Sequence, residues 1–257
     1  MESDVGEHMR LNRFLARAGV ASRRKSDELI AGGVVRVNGQ TVSQPGCSVA
    51  VGRDRVEYAG QPVVLPDAFE HILLYKPIDC LVTHSDTHGR ATVFDYLDRI
   101  HPGTVAVGRL DQDTTGLLLL TDDGELAFRL MHPRYEVEKR YRVQVVGRPR
   151  ATDLERLRRG IKLDDHTTAP ARVRLLRQGQ GQQRGETQVE VCLHEGRKRQ
   201  VRRMFKAIGH RVCSLERTAF AGLGLEGLEP GQWRRLKAAE VRALHRCVGL
   251  ETGHGRR

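Results

Sequence analysis

Asp111 stands in the run Gly108-Arg109-Leu110-Asp111-Gln112-Asp113-Thr114-Thr115-Gly116, between apolar stretches at 105–107 and 117–121. A carboxylate in a glycine-flanked loop between two apolar strands is a group that a rigid scaffold can present to a ligand. Such a group serves as a nucleophile or as a base. Arg109 and Thr114 are near enough along the chain to hold or orient it. Aspartate beside glycine is also ordinary turn chemistry, so the loop by itself does not separate the two readings. Asp113 reads as solvent-facing, and Asp122-Asp123-Gly124 reads as a turn or helix start. A metal-dependent nuclease would need Asp111, Asp113 and Asp123 to converge on Mg²⁺.

The second segment with chemical content is basic. Between Glu195 and Arg211 lie seven Lys or Arg residues and a single acid, where a solvated face would interleave the signs. The whole chain of 257 residues carries 43 Lys plus Arg against 32 Asp plus Glu, a formal charge of +11. An excess of this size makes a polyanion the first partner to consider, because phosphate contacts dominate nucleic-acid affinity. The five cysteines are dispersed without a C-x-x-C pair, which speaks against a zinc site and a disulfide framework and fits reduced thiols in the cytoplasm. No secretory leader and no apolar run of membrane-spanning length is present, so no membrane partner is expected.

The elements that must position these groups are legible in outline. Leu11, Phe14, Leu15 and Ala18 have helical spacing, with Gly19 placed to end the helix. Ser22 can cap a second helix that carries Arg23, Arg24 and Lys25 in its first turn. Cations there oppose the helix dipole, which is easier to understand if they meet phosphate. Asn38-Gly39 between two short β-type runs predicts a hairpin, so this part reads α-α-β-β. Pro62 and Pro66 mark a linker. Strands follow at 72–75, 105–107, 117–121, 141–146 and 189–193, with helices at 125–131, from a Thr152/Glu155 capping box, and over Val201, Met204, Phe205 and Ile208. Residues 178–185 read as a Gln/Gly/Arg hairpin tip, and Trp233 as core.

The full string from Gly108 through Thr121 to Gly124 resembles the signature of the pseudouridine synthases that act on small- and large-subunit ribosomal RNA. The resemblance continues in residues 131–141, in Glu195-Gly196-Arg197-Lys198-Arg199-Gln200-Val201-Arg202-Arg203-Met204-Phe205, and in Pro230-Gly231-Gln232-Trp233. The first sixty residues resemble the RNA-binding module of ribosomal protein S4. These blocks stand in the family's order and cover nearly the whole chain.

The resemblance implies an α+β fold: a small α-α-β-β RNA-binding domain over 1–60, a linker over 61–70 and a catalytic domain over 71–245. It further implies a mixed, largely antiparallel sheet in the catalytic domain, while the chain itself reads as ending in a flexible tail over 246–257 and as starting with about eight disordered polar residues. The essential aspartate falls on Asp111, the active-site tyrosine on Tyr141, and the basic partner on Arg202, with Arg197 and Arg203 as competitors. Tyr141 would be the platform for a uracil extruded from the RNA, and Arg202 would orient the carboxylate. Arg109 matches a position that holds the RNA after the base leaves the helix, and Arg23, Arg24, Lys25, Arg197, Lys198, Arg199 and Arg203 would bind RNA.

The implied reaction is isomerisation of uridine to pseudouridine in ribosomal RNA, with no cofactor and no metal. Residues 131–141 favour the 23S over the 16S RNA. The implied protein is a cytoplasmic monomer acting on free RNA, an assembly intermediate or a subunit. The alternative is a non-catalytic RNA-binding ribosome-assembly factor, against which stands the joint presence of Asp111, Tyr141 and Arg202. Two departures from the family pattern are Asp79, where many members have glycine, and Asp122, where asparagine is usual.

Overall fold

The structure, a computed structural model, describes residues 8–178 and 185–250. The N-terminal extension, the centre of the Gln/Gly/Arg tip and the end of the tail lie outside the described residues. Contacts divide the chain into two units, one built on residues up to Glu70 with Arg99–Val105 and Thr121–Asp123, the other on the remainder.

In the first unit the order is β1 (His8–Arg10), α1 (Leu11–Arg17), α2 (Arg23–Ala31), β2 (Val35–Val37), β3 (Gln40–Thr41), β4 (Ser48–Ala50), β5 (Val56–Tyr58) and β6 (Gln61–Val63). The expected helix spacing puts Leu11, Phe14 and Leu15 into one buried cluster with Ile30, Val35, Val49 and Val56. Ser22 caps α2 by accepting from Lys25 N at 3.3 Å. Asn38 and Gly39 both have positive φ, 52° and 79°, as the two-residue hairpin turn requires. The antiparallel sheet runs β3-β2-β5-β6. The stretch read as a linker therefore contributes β6, an edge strand among the described residues, where proline is tolerated because it need not donate to a second neighbour.

The second unit is organised around a sheet whose main path is β11-β12-β10-β13-β9-β7-β15. Its elements are β7 (His71–Lys76), β8 (Val105–Ala106), β9 (Thr115–Thr121), α3 (Gly124–Met131), β10 (Lys139–Val146), α4 (Ala151–Arg159), β11 (Arg172–Gln178), β12 (Glu186–Leu193), α5 (Gln200–Ala207), β13 (Val212–Phe220), β14 (Leu223–Gly224), β15 (Trp233–Arg235) and α6 (Ala238–Cys247). β10 is antiparallel to both β12 and β13, whereas β13 runs parallel to β9. The α+β class and the mixed sheet are as expected.

One apolar cluster joins Val143 and Val145 of β10 to Leu154 and Leu157 of α4 and to Met204 and Phe205 of α5. Another joins Leu117 and Leu119 of β9 to Leu126 and Leu130 of α3 and Leu244 of α6. Two local expectations are corrected. The cap of α4 is Arg150, whose backbone N–H is 3.4 Å from Asp153 Oδ2, so the helix starts ahead of the Thr152/Glu155 pair. Trp233 lies half-exposed in the short strand β15 at the end of the sheet path rather than in the core.

Gly116 fixes the parallel join. Its φ is +111°, and a Cβ there would fall 2.3 Å from the backbone oxygen of Arg217 on the neighbouring strand. Gly108 also has positive φ, but a Cβ there meets nothing within 4 Å. Near this join two cations are buried: Lys76 at the end of β7, and Arg217, 3% exposed. Burial and the neighbouring charge of Arg217 push Lys139, at the start of β10, down from 10.5 to about 8.

Two stability predictions follow from these contacts. Gly116→Ala should cost about 3 kcal/mol from backbone strain and overpacking, and Gly108→Ala about 1 kcal/mol from strain alone; chemical denaturation with equal losses would contradict the close approach. Between pH 8 and 10.5 the unfolded chain keeps a proton on Lys139 that the folded chain has lost, so this group's contribution to stability rises with pH. The Tm of wild type should therefore climb relative to that of Lys139→Met from pH 7.5 to 10, and a constant difference would refute the shift.

Candidate active site

Asp111 is half-buried between β8 and β9, at the start of a tight turn in which Thr114 N donates to the Asp111 carbonyl at 3.0 Å. That turn is gripped from below by Lys76. Its ammonium donates to Thr114 O at 2.9 Å, Gln112 O at 3.3 Å and Pro77 O at 2.9 Å. Burial lowers the lysine's proton affinity, while the charges of Cys80, Asp113, Asp79 and Asp111 oppose that effect. Asp79 N adds a further bond to Gln112 O at 3.0 Å. Asp79 has φ +56°, in the left-handed region that favours glycine and that Asp tolerates better than most residues. The departure from the family pattern is thus accommodated by the residue type.

Helix α5 buries Val201, Met204 and Phe205, and its N-terminal end presents arginines to the aspartate turn. The preceding loop is closed by buried Gln200, whose amide bonds Glu195 and accepts from Arg197 N at 2.9 Å. Arg199, in the left-handed conformation at the helix start, makes a two-point contact with Asp113 at 2.9 and 3.1 Å. Arg202 brings Nε within 3.3 Å of the same carboxylate and donates from Nη2 to the Asp113 carbonyl at 2.6 Å. Burial works against ionisation of Asp113, but the Arg199 hydrogen bond and the charges of Arg202 and Arg199 outweigh it and hold the carboxyl below its usual range. Asp113 is therefore ion-paired, not simply solvent-facing. The direct partner of Arg202 is Asp113; Asp111 acts on Arg202 and on Arg199 through its charge.

Tyr141 occupies the third position of β10, 9% exposed, in the same buried cluster as Leu110 and Val201. A register shift after Arg140 sets it opposite Arg217 of β13. The Arg217 guanidinium lies within polar reach of the phenol and donates from Nε to Leu117 O at 2.7 Å. Its charge has been moved out of water, which lowers its proton affinity.

The other candidates divide. Arg109, Arg23, Arg24 and Lys198 are exposed. Lys25 pairs with Glu28 at 2.7 Å, and Arg197 with Glu195 at 3.9 Å. Arg203 pairs with Asp165 and, at 3.9 Å, with Asp164, on a different front from Arg202. Among the described residues no three His, Cys, Asp or Glu side chains converge as a metal ion would require, and no helix is long and apolar enough to cross a membrane.

The sequence singles out none of Lys76, Gln200 and Arg217, and Asp113 reads there as solvent-facing. Arg217 carried a signal: it falls two residues after Leu215 in a strand, on the face that the period of two buries. Lys76 carried another, ending the apolar strand His71–Lys76 ahead of a proline.

Residues 70–207 match the family model of RNA pseudouridylate synthases, and residues 9–54 match the S4 domain. The chain is 46% identical over 235 residues to ribosomal large subunit pseudouridine synthase B of Bacillus subtilis, spanning 91% of this chain and 95% of that one. It is 39% identical over 249 residues to the Yersinia pestis protein of the same name, spanning 94% of this chain and 77% of that one. The crystal structure of a pseudouridylate synthase is similar with a TM-score of 0.65 at 29% identity, over 92% of this chain and 99% of the other. A match across more than half the chain, joined to relatives at this identity, means that the chain belongs to the RNA pseudouridylate synthase family, enzymes that isomerise uridine to pseudouridine in RNA.

Proposed function

We propose that this enzyme isomerises a uridine of large-subunit ribosomal RNA, with the Asp111 carboxylate initiating cleavage of the N1–C1′ bond. The reaction breaks N1–C1′, turns the uracil over, forms C5–C1′ and moves one proton from C5 to N1. Atoms and electrons balance within the substrate, so the protein's task is to extrude the base, orient it and stabilise charge. The observation that carries this reading is the aspartate turn itself, pinned by Lys76 and lying in the field of Arg199 and Arg202. Among the described residues no cation is paired in contact with Asp111, which leaves its carboxylate to meet the substrate.

In this reading Tyr141 is the platform for the extruded uracil, and Arg217 holds its phenol by a polar contact. Arg202 shapes the potential at Asp111. Arg109, Arg197, Lys198, Arg199 and Arg203 line the approach of the RNA, and Arg23, Arg24 and Lys25 of the S4 domain add sequence-independent attraction. Domains over 1–60 and 71–245 divide binding from chemistry, and the enzyme works as a cytoplasmic monomer. Large-subunit RNA as the target is supported by the names of the Bacillus subtilis and Yersinia pestis relatives.

Carbodiimide-adduct mapping on unmodified large-subunit RNA, in buffer containing EDTA, tests the reading. Wild type should produce a single new reverse-transcription stop. Asp111→Asn should reduce its rate by at least about 10³-fold while RNA affinity stays within about three-fold, because affinity rests on Lys and Arg. Loss of affinity together with activity would make Asp111 structural. No stop on RNA, subunits or assembly intermediates, with binding intact, would favour the assembly-factor reading.

A further inference from the structure

The cations of α5 and the turn after it face a common cleft. Arg199, Arg202, Lys206, His210 and Arg211 line it, around about 490 Å³. That volume is within the range of ligand sites, roughly 300–1,000 Å³. The remaining lining residues are Gly209 and Val212, so among the described residues no acid lines the cleft. His210 is fixed by a 2.8 Å contact between Nδ1 and Val146 O, and Arg202 by Nη1 at 3.4 Å from Val212 O.

Among the described residues the one carboxylate in contact with these lining cations is Asp113. Its two-point contact with Arg199 has the fork geometry in which guanidinium also receives a phosphate. The pair is open to water, with side chains 45% and 42% exposed, so it is weak and exchangeable. Arg202 differs: its side chain is 13% exposed and is tied to two backbone carbonyls.

Given RNA as the substrate, we propose that this cleft takes a backbone phosphodiester beside the target uridine, and that Asp113 is its internal substitute. In the RNA-free enzyme Asp113 holds Arg199 in the fork geometry. On docking, the phosphodiester takes Arg199 and reaches Lys206 and Arg211, while Arg202 keeps its carbonyl bonds and its place beside the aspartate turn. The exchange leaves Asp113 with Arg202, so the field around Asp111 is preserved when the RNA arrives.

The inference predicts an inversion: removing a charge from a native ion pair should strengthen binding. In full-length protein carrying Asp111→Asn to block turnover, Asp113→Asn should tighten binding to an unmodified large-subunit RNA transcript about five-fold at 0.1 M salt, the worth of roughly one released counterion. In an Arg199→Ala background the same change should alter affinity less than two-fold. Lys206→Ala with Arg211→Ala should flatten the slope of log affinity against log salt by about 1.4. Asp113→Ser gives a second variant with the charge removed, and thermal melting identifies any variant that has lost its fold. Weaker binding by both Asp113 variants, or equal tightening with and without Arg199, overturns the exchange; an unchanged salt slope overturns the cleft. Pseudouridine formation by the wild type on the same transcript is scored separately. If it is present while the affinities fail, only this inference falls. If it is absent, the functional reading falls and the affinities still decide the cleft.

Discussion

The buried ammonium of Lys76 determines where the aspartate turn can be. A charge removed from water is costly unless it is hydrogen-bonded, and the three N–H donors of Lys76 are used on the carbonyls of Pro77, Gln112 and Thr114. Two of those carbonyls bracket Asp113, and the turn that begins at Asp111 closes onto Thr114. Strand β7 and the turn before β9 are thereby tied at one point. A neutral side chain at residue 76 would take this donor from the carbonyls of Pro77 and Thr114 and leave Gln112 O only its bond from Asp79 N. The close approach of Gly116 to Arg217 fixes the other end of the same turn. Held at both ends, the turn presents two aspartates in different surroundings.

Those two carboxylates divide the work. Asp113 is committed to Arg199 and Arg202, so its charge is spent on holding cations. Asp111 feels the same arginines only at a distance. If Asp111 is the reacting carboxylate, as proposed, it must not be locked in a bidentate pair, yet it needs positive potential nearby to place it and to meet an anionic substrate. Spacing the two aspartates two residues apart in a rigid turn satisfies both conditions. Tyr141 and Arg217 extend the logic to the sheet, where the buried guanidinium bonded to Leu117 O lies within polar reach of the phenol.

The features that were legible in the sequence are those that local chemistry dictates. The aspartate turn lies between strands because glycines flank it and apolar runs adjoin it. Helix α5 has its buried face where Val201, Met204 and Phe205 recur at helical spacing, and Asn38-Gly39 turns a hairpin. What was not legible depends on partners distant along the chain. Arg199 is 86 residues from Asp113, and Arg217 is 100 residues from the carbonyl it bonds. No periodicity could have matched those pairs, so Asp113 reads from sequence as solvent-facing. The start of α4 failed for a different reason: two candidate capping pairs overlap within a few residues, and backbone geometry chose Arg150 with Asp153. The stretch with Pro62 read as a linker because proline marks strand edges and linkers alike.

A protein that attracts RNA by crowding cations on one helix must survive the absence of RNA. Arg199, Arg202, Arg203 and Lys206 all lie within or at the start of α5, where like charges at these spacings destabilise a helix. Carboxylates brought from elsewhere in the chain answer this: Asp113 meets Arg199 and Arg202, and Asp164 and Asp165 meet Arg203. The outer pairs are open to water and contribute little individually. If α5 binds RNA phosphates, as proposed, that weakness suits the task, since a strong buried pair would compete with them. The inner contacts of Arg202 run to backbone carbonyls, which no phosphate can replace. The same helix therefore carries an exchangeable layer of charge over a permanent one, and the permanent one lies beside the aspartate turn.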